Sequence, residues 1–265
     1  MHIGKMILIS RPILWFLGPL VYFSIIKMYS ISLTPVSLFQ ALMLSFPLSF
    51  FLYGINDLYD SKTDAINQRR SIKLTKSDVY SIKKISFYMV SFLIFSSLLT
   101  MDIKNLVAMV LLILSSYYYS APPLRFKELP LLDSLSNSLI VYAVVMLAFS
   151  FTNEFFSSKI IFGLIAVAGF HAFAAALDYD ADRISKTKTI AVIFGKKRTI
   201  LFSIFCLSLT YFFSGIVSFW INYFLLLNLL LFIFCFLFPK YQYLRTTLLI
   251  SCITFIFFIT LFVIL

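Results

Sequence analysis

Nine long apolar runs constrain this chain more than any other feature. They lie near residues 11–28, 37–56, 83–101, 105–121, 133–151, 159–178, 198–213, 218–238 and 245–264. A helix crossing a hydrocarbon core of about 30 Å needs about 20 apolar residues, and about 17 suffice. The chain is 61% apolar and 12% charged, whereas a soluble domain carries about 25% charge. An all-α polytopic membrane protein with nine transmembrane helices follows, organised as one membrane-embedded domain over 1–265. Between 199 and 238 only Ser214-Gly215 and Asn222 interrupt the apolar run. At about 1.5 Å per residue a single helix there would overshoot the bilayer twofold, so two crossings are predicted. Arg11-Pro12 marks a helix start. No small-residue cleavage site follows the first run, which is therefore not read as a removable signal peptide.

Basic residues set the orientation. Alternating the nine spans puts all but three of the 22 Lys and Arg on one side; the exceptions are Lys27, Lys104 and Lys159. By the positive-inside rule that side is cytoplasmic. It holds the N-terminus (Lys5, Arg11) and the loops after the even-numbered helices. The net charge of +11 is mostly this bias, with some attraction to anionic lipid. It carries no nucleic-acid motif, and no protein partner is implied. Cys206, Cys235 and Cys252 stand singly in apolar runs, without CxxC spacing or clustered His, and read as packing residues.

Two of the cytoplasmic loops open on concentrated acid. Asn56-Asp57-Leu58-Tyr59-Asp60-Ser61-Lys62-Thr63-Asp64 ends the second run, and Asp178-Tyr179-Asp180-Ala181-Asp182 ends the sixth. Asp57, Asp60, Asp64, Asp178, Asp180 and Asp182 are six of the eleven acidic residues in the chain. Read as helix, Asn56, Asp60 and Asp64 share one face, as do Asp178 and Asp182. Like charges so spaced repel by roughly 0.2–0.5 kcal/mol per pair. A helix C-terminus costs each carboxylate roughly 0.3–1 kcal/mol more. A cation relieves both. Hard oxygen ligands without His or Cys suit Mg²⁺, which keeps several waters and bridges carboxylates to phosphates. Two such clusters facing each other could hold Mg²⁺ around one diphosphate, with Lys62, Arg69, Arg70, Arg183 and Lys188 neutralising the remaining charge. A hydrocarbon tail on that diphosphate would lie between the helices. The π-faces of Phe and Tyr would stabilise an allylic cation by roughly 0.5–2 kcal/mol per contact.

The segment 56–64, NDLYDSKTD, matches the NDxxDxxxD motif of the UbiA-type membrane prenyltransferases, and 178–195, DYDADRISKTKTIAVIFG, resembles that family's second motif. Residues 119–137, YSAPPLRFKELPLLDSLSN, and the opening Ser10-Arg11-Pro12 with Trp15 are similar to members nearest the lycopene elongases. The resemblance covers the whole chain. It implies nine helices around a central cavity and Mg²⁺-dependent transfer of a prenyl group from a polyprenyl diphosphate to a lipophilic acceptor. Metal and diphosphate would be held by Asn56, Asp57, Asp60 and Asp64 in one motif and by Asp178 and Asp182 in the other. Asp60, Asp178, Arg69 and Tyr119 are placed in catalysis. Asn56, Lys62, Arg125, Lys127, Asn137, His171, Arg183 and Lys188 are placed against substrate. Two departures stand out: Lys186 occupies a place where Gly is usual, and the family's Tyr-x-x-x-Lys pattern reaches Pro123, leaving Arg125 or Lys127 for its role.

Plainer readings stand beside these. The acidic clusters also fit solvated loops tied by ion pairs, and Arg69, Arg70, Lys73 and Lys76 fit topology determination. His171, two turns before Asp178, faces either the cavity or a neighbouring helix through a hydrogen bond. Tyr117, Tyr118 and Tyr119 also fit an interfacial aromatic belt. The acceptor is open: a carotenoid is favoured, with an aromatic quinone precursor or a glycerol-phosphate lipid as alternatives. A cation-coupled transporter is the competing class. It expects charges at mid-membrane on broken helices, while these acids sit at helix ends.

Overall fold

The computed structural model describes residues 2–60, 74–152, 158–213 and 218–265. Lys62, Asp64, Arg69, Arg70 and Lys73 lie outside them, as do Ser214 and Gly215. Among the described residues the regular structure is all helical. The helices are α1 (Ile3–Ser10), α2 (Leu17–Met28), α3 (Pro35–Met43), α4 (Phe46–Tyr59), α5 (Lys76–Leu98), α6 (Ile103–Ser120), α7 (Leu132–Phe149), α8 (Ser158–Ser185), α9 (Ile190–Phe194), α10 (Lys196–Phe213), α11 (Phe219–Leu237) and α12 (Tyr241–Ile264). Among the described residues seven stretches are long and apolar enough to cross a membrane, α3 and α4 counting as one; α1 with the segment to Met28 forms a further pair bent by 49°. Helix α10 stands where the seventh run predicts one. It falls short of that standard because its first turn is Lys196-Lys197-Arg198.

Several boundaries differ from the sequence reading, each for a local reason. Helix α5 begins at Lys76 rather than 83, because Thr75 and Asp78 form a reciprocal capping box that satisfies two otherwise orphaned N–H groups. The second run is not continuous: the helix breaks at Leu44-Ser45, where Ser45 has ψ −113° and Pro47 supplies no N–H. Gly18 of α2 packs onto this break, and a Cβ there would lie 2.4 Å from the Leu44 carbonyl oxygen. Arg11-Pro12 does not begin the first helix but bends it. Arg11 closes α1 in the left-handed region at φ 51°.

The chain divides into two compact units, one of Met1–Arg125 with Ile140–Phe155, the other of Phe126–Leu139 with Phe156–Leu265. Helix α7 therefore gives its start, as far as Leu139, to the second unit and its remainder to the first.

In the first unit, α4 packs against α1, α5 and α6. Ile9, Phe50 and Ile82 are buried together, flanked by Met6, Phe46, Leu58 and Leu74. A polar network lies inside this apolar packing. The Tyr22 hydroxyl donates to Gln40 Oε1 at 3.1 Å, and Gln40 Nε2 donates to Asn105 Oδ1 at 2.7 Å. Ser97 Oγ donates to the same oxygen at 2.7 Å, and Asn105 Nδ2 donates to Ser150 Oγ at 2.6 Å. In lipid such bonds leave no polar group facing hydrocarbon.

In the second unit, α8 and α10 run in close contact. Gly169 permits this, since a Cβ there would lie 2.8 Å from Cys206 Cβ. The core gathers Phe173, Leu177, Ile200, Leu207, Phe232 and Leu244, with the Phe173 and Phe232 rings stacked at 3.9 Å. Cys206 and Cys235 are buried thiols and Cys252 is half-buried, all unbridged.

Candidate active site

The first acidic motif begins in the last turn of α4, and of its described residues Asn56, Asp57 and Asp60 are 8, 6 and 7% exposed. Burying carboxylates in a helix end demands positive partners, and two arginines supply them. Arg11 Nη2 donates to Asp57 Oδ1 at 3.2 Å and to Asn56 Oδ1 at 3.3 Å. Its guanidinium also lies 4.0 Å from the centre of the Tyr53 ring, a favourable face for a cation. Arg125 Nη2 approaches Asp60 Oδ1 at 3.6 Å and donates to the Tyr59 carbonyl at 3.4 Å. Asn56 Nδ2 donates to Ser120 Oγ at 2.9 Å, so the amide is oriented by the last turn of α6. Both arginines have left-handed backbone, at φ 51° and 42°. That costs a residue with a Cβ about 1–2 kcal/mol, strain of a kind that gathers at functional sites.

The second motif sits differently. Helix α8 continues to Ser185, so Asp178 and Asp182 lie within its last turns rather than beyond its end. The helix closes in a Schellman turn: the Thr187 N–H donates to the Asp182 carbonyl at 2.9 Å and the Lys186 N–H to the Arg183 carbonyl at 3.3 Å. Lys186 takes the left-handed position at φ 61°, where Gly sits without steric cost. The unusual residue noticed in the sequence thus occupies a glycine position. Asp182 is buried, and its Oδ2 accepts from Thr189 Oγ1 at 3.3 Å. Asp178 is half-buried. Asp180 is exposed and accepts from Lys196 Nζ at 3.0 Å.

The remaining predicted residues fall in both units. Tyr119 is half-buried in the last turn of α6, where the neighbouring Tyr117 hydroxyl meets that of Tyr59 at 3.5 Å. Arg125 belongs to the first unit. Lys127, buried in a single 3₁₀ turn (Phe126–Glu128), belongs to the second. Asn137 is half-buried on α7. The His171 Nδ1 lies 3.2 Å from Ser134 Oγ, a polar contact between the helices that bear them. Arg183 is exposed and donates to the Tyr179 hydroxyl at 3.5 Å, and Lys188 is exposed. Sequence reasoning gave Arg11 to topology, helix initiation and the family resemblance but not to the site, and gave no role to Tyr53, Ser120 or Asp133. An arginine directly before an apolar run and an aspartate directly inside one were the available signals.

The donor set fits Mg²⁺: amide and carboxylate oxygens beside guanidinium groups able to meet phosphate. Among the described residues no three His, Cys, Asp or Glu converge closely enough to cage an ion by themselves. Such a set leaves coordination positions for water and substrate oxygens, as Mg²⁺ usually requires.

Comparison with known proteins defines the class. The UbiA prenyltransferase family model matches residues 10–262, and the chain belongs to that family: it is a membrane-bound enzyme that transfers prenyl groups. Similar curated proteins include the lycopene elongase/hydratase of Haloarcula japonica, 28% identical over 215 residues, covering 77% of this chain and 71% of that one. That of Haloferax volcanii is 32% identical over 179 residues, covering 63% and 55%. The fold is shared with a UbiA homologue from Archaeoglobus fulgidus bound to DMAPP and Mg²⁺, at a TM-score of 0.66 and 20% identity, over 98% of this chain and 100% of that one.

Proposed function

We propose that this enzyme transfers a prenyl group from a polyprenyl diphosphate to a carotenoid acceptor, with Mg²⁺ as cofactor and diphosphate released. The observation that carries the reading is the buried set of Asn56, Asp57 and Asp60 interleaved with Arg11 and Arg125. Alternating oxygen ligands and guanidinium forks suit a metal diphosphate, which presents both cation and anion. The similarity to lycopene elongase/hydratases favours a carotenoid over the aromatic and glycerol-phosphate acceptors. In this reading Asn56, Asp57, Asp60 and Asp64 would form one site for Mg²⁺, and Asp178 and Asp182 the other site for Mg²⁺. When bound, it would stabilise charge on the departing diphosphate as a Lewis acid. Arg11 and Arg125, with Lys62, Arg69, Lys127, Arg183 and Lys188, neutralise and orient phosphate oxygens. Tyr119, Asn137 and His171 contact the prenyl or acceptor moiety. The reading carries with it nine crossings around a central cavity in one membrane domain of the cell membrane, with both acidic motifs cytoplasmic.

The test is transfer of label from radiolabelled dimethylallyl or longer prenyl diphosphate to lycopene and to a panel of other acceptors, using purified protein in lipid. Label should reach a carotenoid and only with Mg²⁺. Transfer to an aromatic acceptor alone would overturn the acceptor assignment. Diphosphate binding indifferent to both Asp60→Ala and Asp178→Ala would overturn the site.

A further inference from the structure

Asp133 lies at the start of α7 and is 1% exposed. It belongs to neither acidic motif. Its Oδ2 accepts from the main-chain N–H of Ile190 at 2.8 Å, and its Oδ1 accepts from the N–H of Ser134 at 2.7 Å. Ile190 opens α9, the short helix that follows the second motif. The preceding residue, Thr189, is the one whose hydroxyl donates to Asp182 Oδ2. Ser134, next to Asp133, places its hydroxyl 3.2 Å from His171 Nδ1. All of these residues belong to the second unit. A buried carboxylate held by two main-chain donors is rigid, and its bonds are charge-assisted.

We propose that Asp133 is a positioning residue for the second acidic motif: it fixes the chain at Ile190, and Thr189 from that fixed point sets the orientation of the Asp182 carboxylate. The hydrogen bond between Ser134 and His171 anchors the same turn of α7 to the motif-bearing helix. Partners that orient a ligating side chain are worth about 10–100-fold in metal affinity. The inference rests on reading Asp182 as a ligand of metal and diphosphate.

The experiment measures binding of Mn²⁺ with inorganic diphosphate to the full chain in lipid nanodiscs, alongside melting temperature. The variants are Asp133→Asn, Thr189→Val, their double, Thr189→Ser and Asp182→Ala. Asp133→Asn and Thr189→Val should each weaken binding by about tenfold. The double should be no weaker than the worse single, because both act through one contact. Thr189→Ser, which keeps the hydroxyl, should restore binding to within about twofold of the original chain, the error of additivity. Should Asp133→Asn fail to fold, the Thr189 pair decides: weak Val with tight Ser upholds the path, and tight Val overturns it. Lowered melting temperature with unchanged binding would make Asp133 a structural cap only. Weak binding in Asp182→Ala with tight binding in the Asp133 and Thr189 variants overturns this inference alone. Tight binding in Asp182→Ala overturns the metal reading of the motif and this inference with it.

Discussion

Asp57 and Asp60 are met by guanidinium groups, while Asp182 is met by a threonine hydroxyl and a helix-closing turn. The two acidic motifs look alike in sequence, yet these contacts to Asp57, Asp60 and Asp182 differ in kind. Both kinds of contact are charge-assisted, because the acceptor is a carboxylate, but removing an arginine also strands a buried charge without that counter-ion. A hydroxyl contact mainly fixes direction. The arginine contacts thus couple Asp57 and Asp60 to the stability of their unit, and the Thr189 contact bears on the direction in which the Asp182 carboxylate points.

The largest effect tests what the two motifs have in common. Chelation with EDTA, or Asp60→Ala or Asp178→Ala alone, should lower prenyl transfer on the order of 10²–10³-fold, the loss expected when electrostatic stabilisation of a leaving group is removed. Near-normal transfer in either variant would break the pairing of the motifs. The next test separates them. Arg11→Ala should destabilise the protein by about 1–3 kcal/mol, because Asp57 is left buried without this partner. Its melting temperature should rise more with added Mg²⁺ than that of the unaltered chain, since a divalent ion replaces the lost charge. Thr189→Val should show no comparable stability loss. Equal losses in the two would erase the distinction.

Gly169→Ala reaches the packing behind the second motif. A Cβ 2.8 Å from Cys206 Cβ forces α8 and α10 apart, and overpacking of this kind costs about 1–3 kcal/mol. Thermal melting should register the loss, with transfer by the folded fraction falling less than in Asp178→Ala. The smallest effect belongs to Asp180→Asn. Its carboxylate is exposed and paired with Lys196, and surface pairs are worth about 0–1 kcal/mol. Transfer should stay within twofold. A larger drop would bring Asp180 into the site.

The helices were legible because apolar runs of bilayer length leave little choice, and among the described residues seven stretches are long and apolar enough to cross a membrane. Their ends were not, because caps and turns decide them. The capping box at Thr75 and Asp78 extends α5 by a turn and more, and the Schellman turn at Lys186 carries α8 past the second motif. Within the first motif, Asn56, Asp57 and Asp60 were legible from their spacing and their density of charge. Arg11 was not, since a partner 45 residues away leaves no periodic trace. Asp133 was hidden for a related reason: a single acid in an apolar run gives no sign of which main-chain N–H it will hold.

The buried polar network of the first unit has a consequence for how the protein is made. Its members emerge from the ribosome in order, Tyr22 and Gln40, then Ser97 and Asn105, and last Ser150. Tyr22, Gln40, Ser97 and Asn105 can pair as soon as they are made, but the bond from Asn105 to Ser150 waits for the residue that follows α7, so the network is complete only when the last part of the first unit has been synthesised.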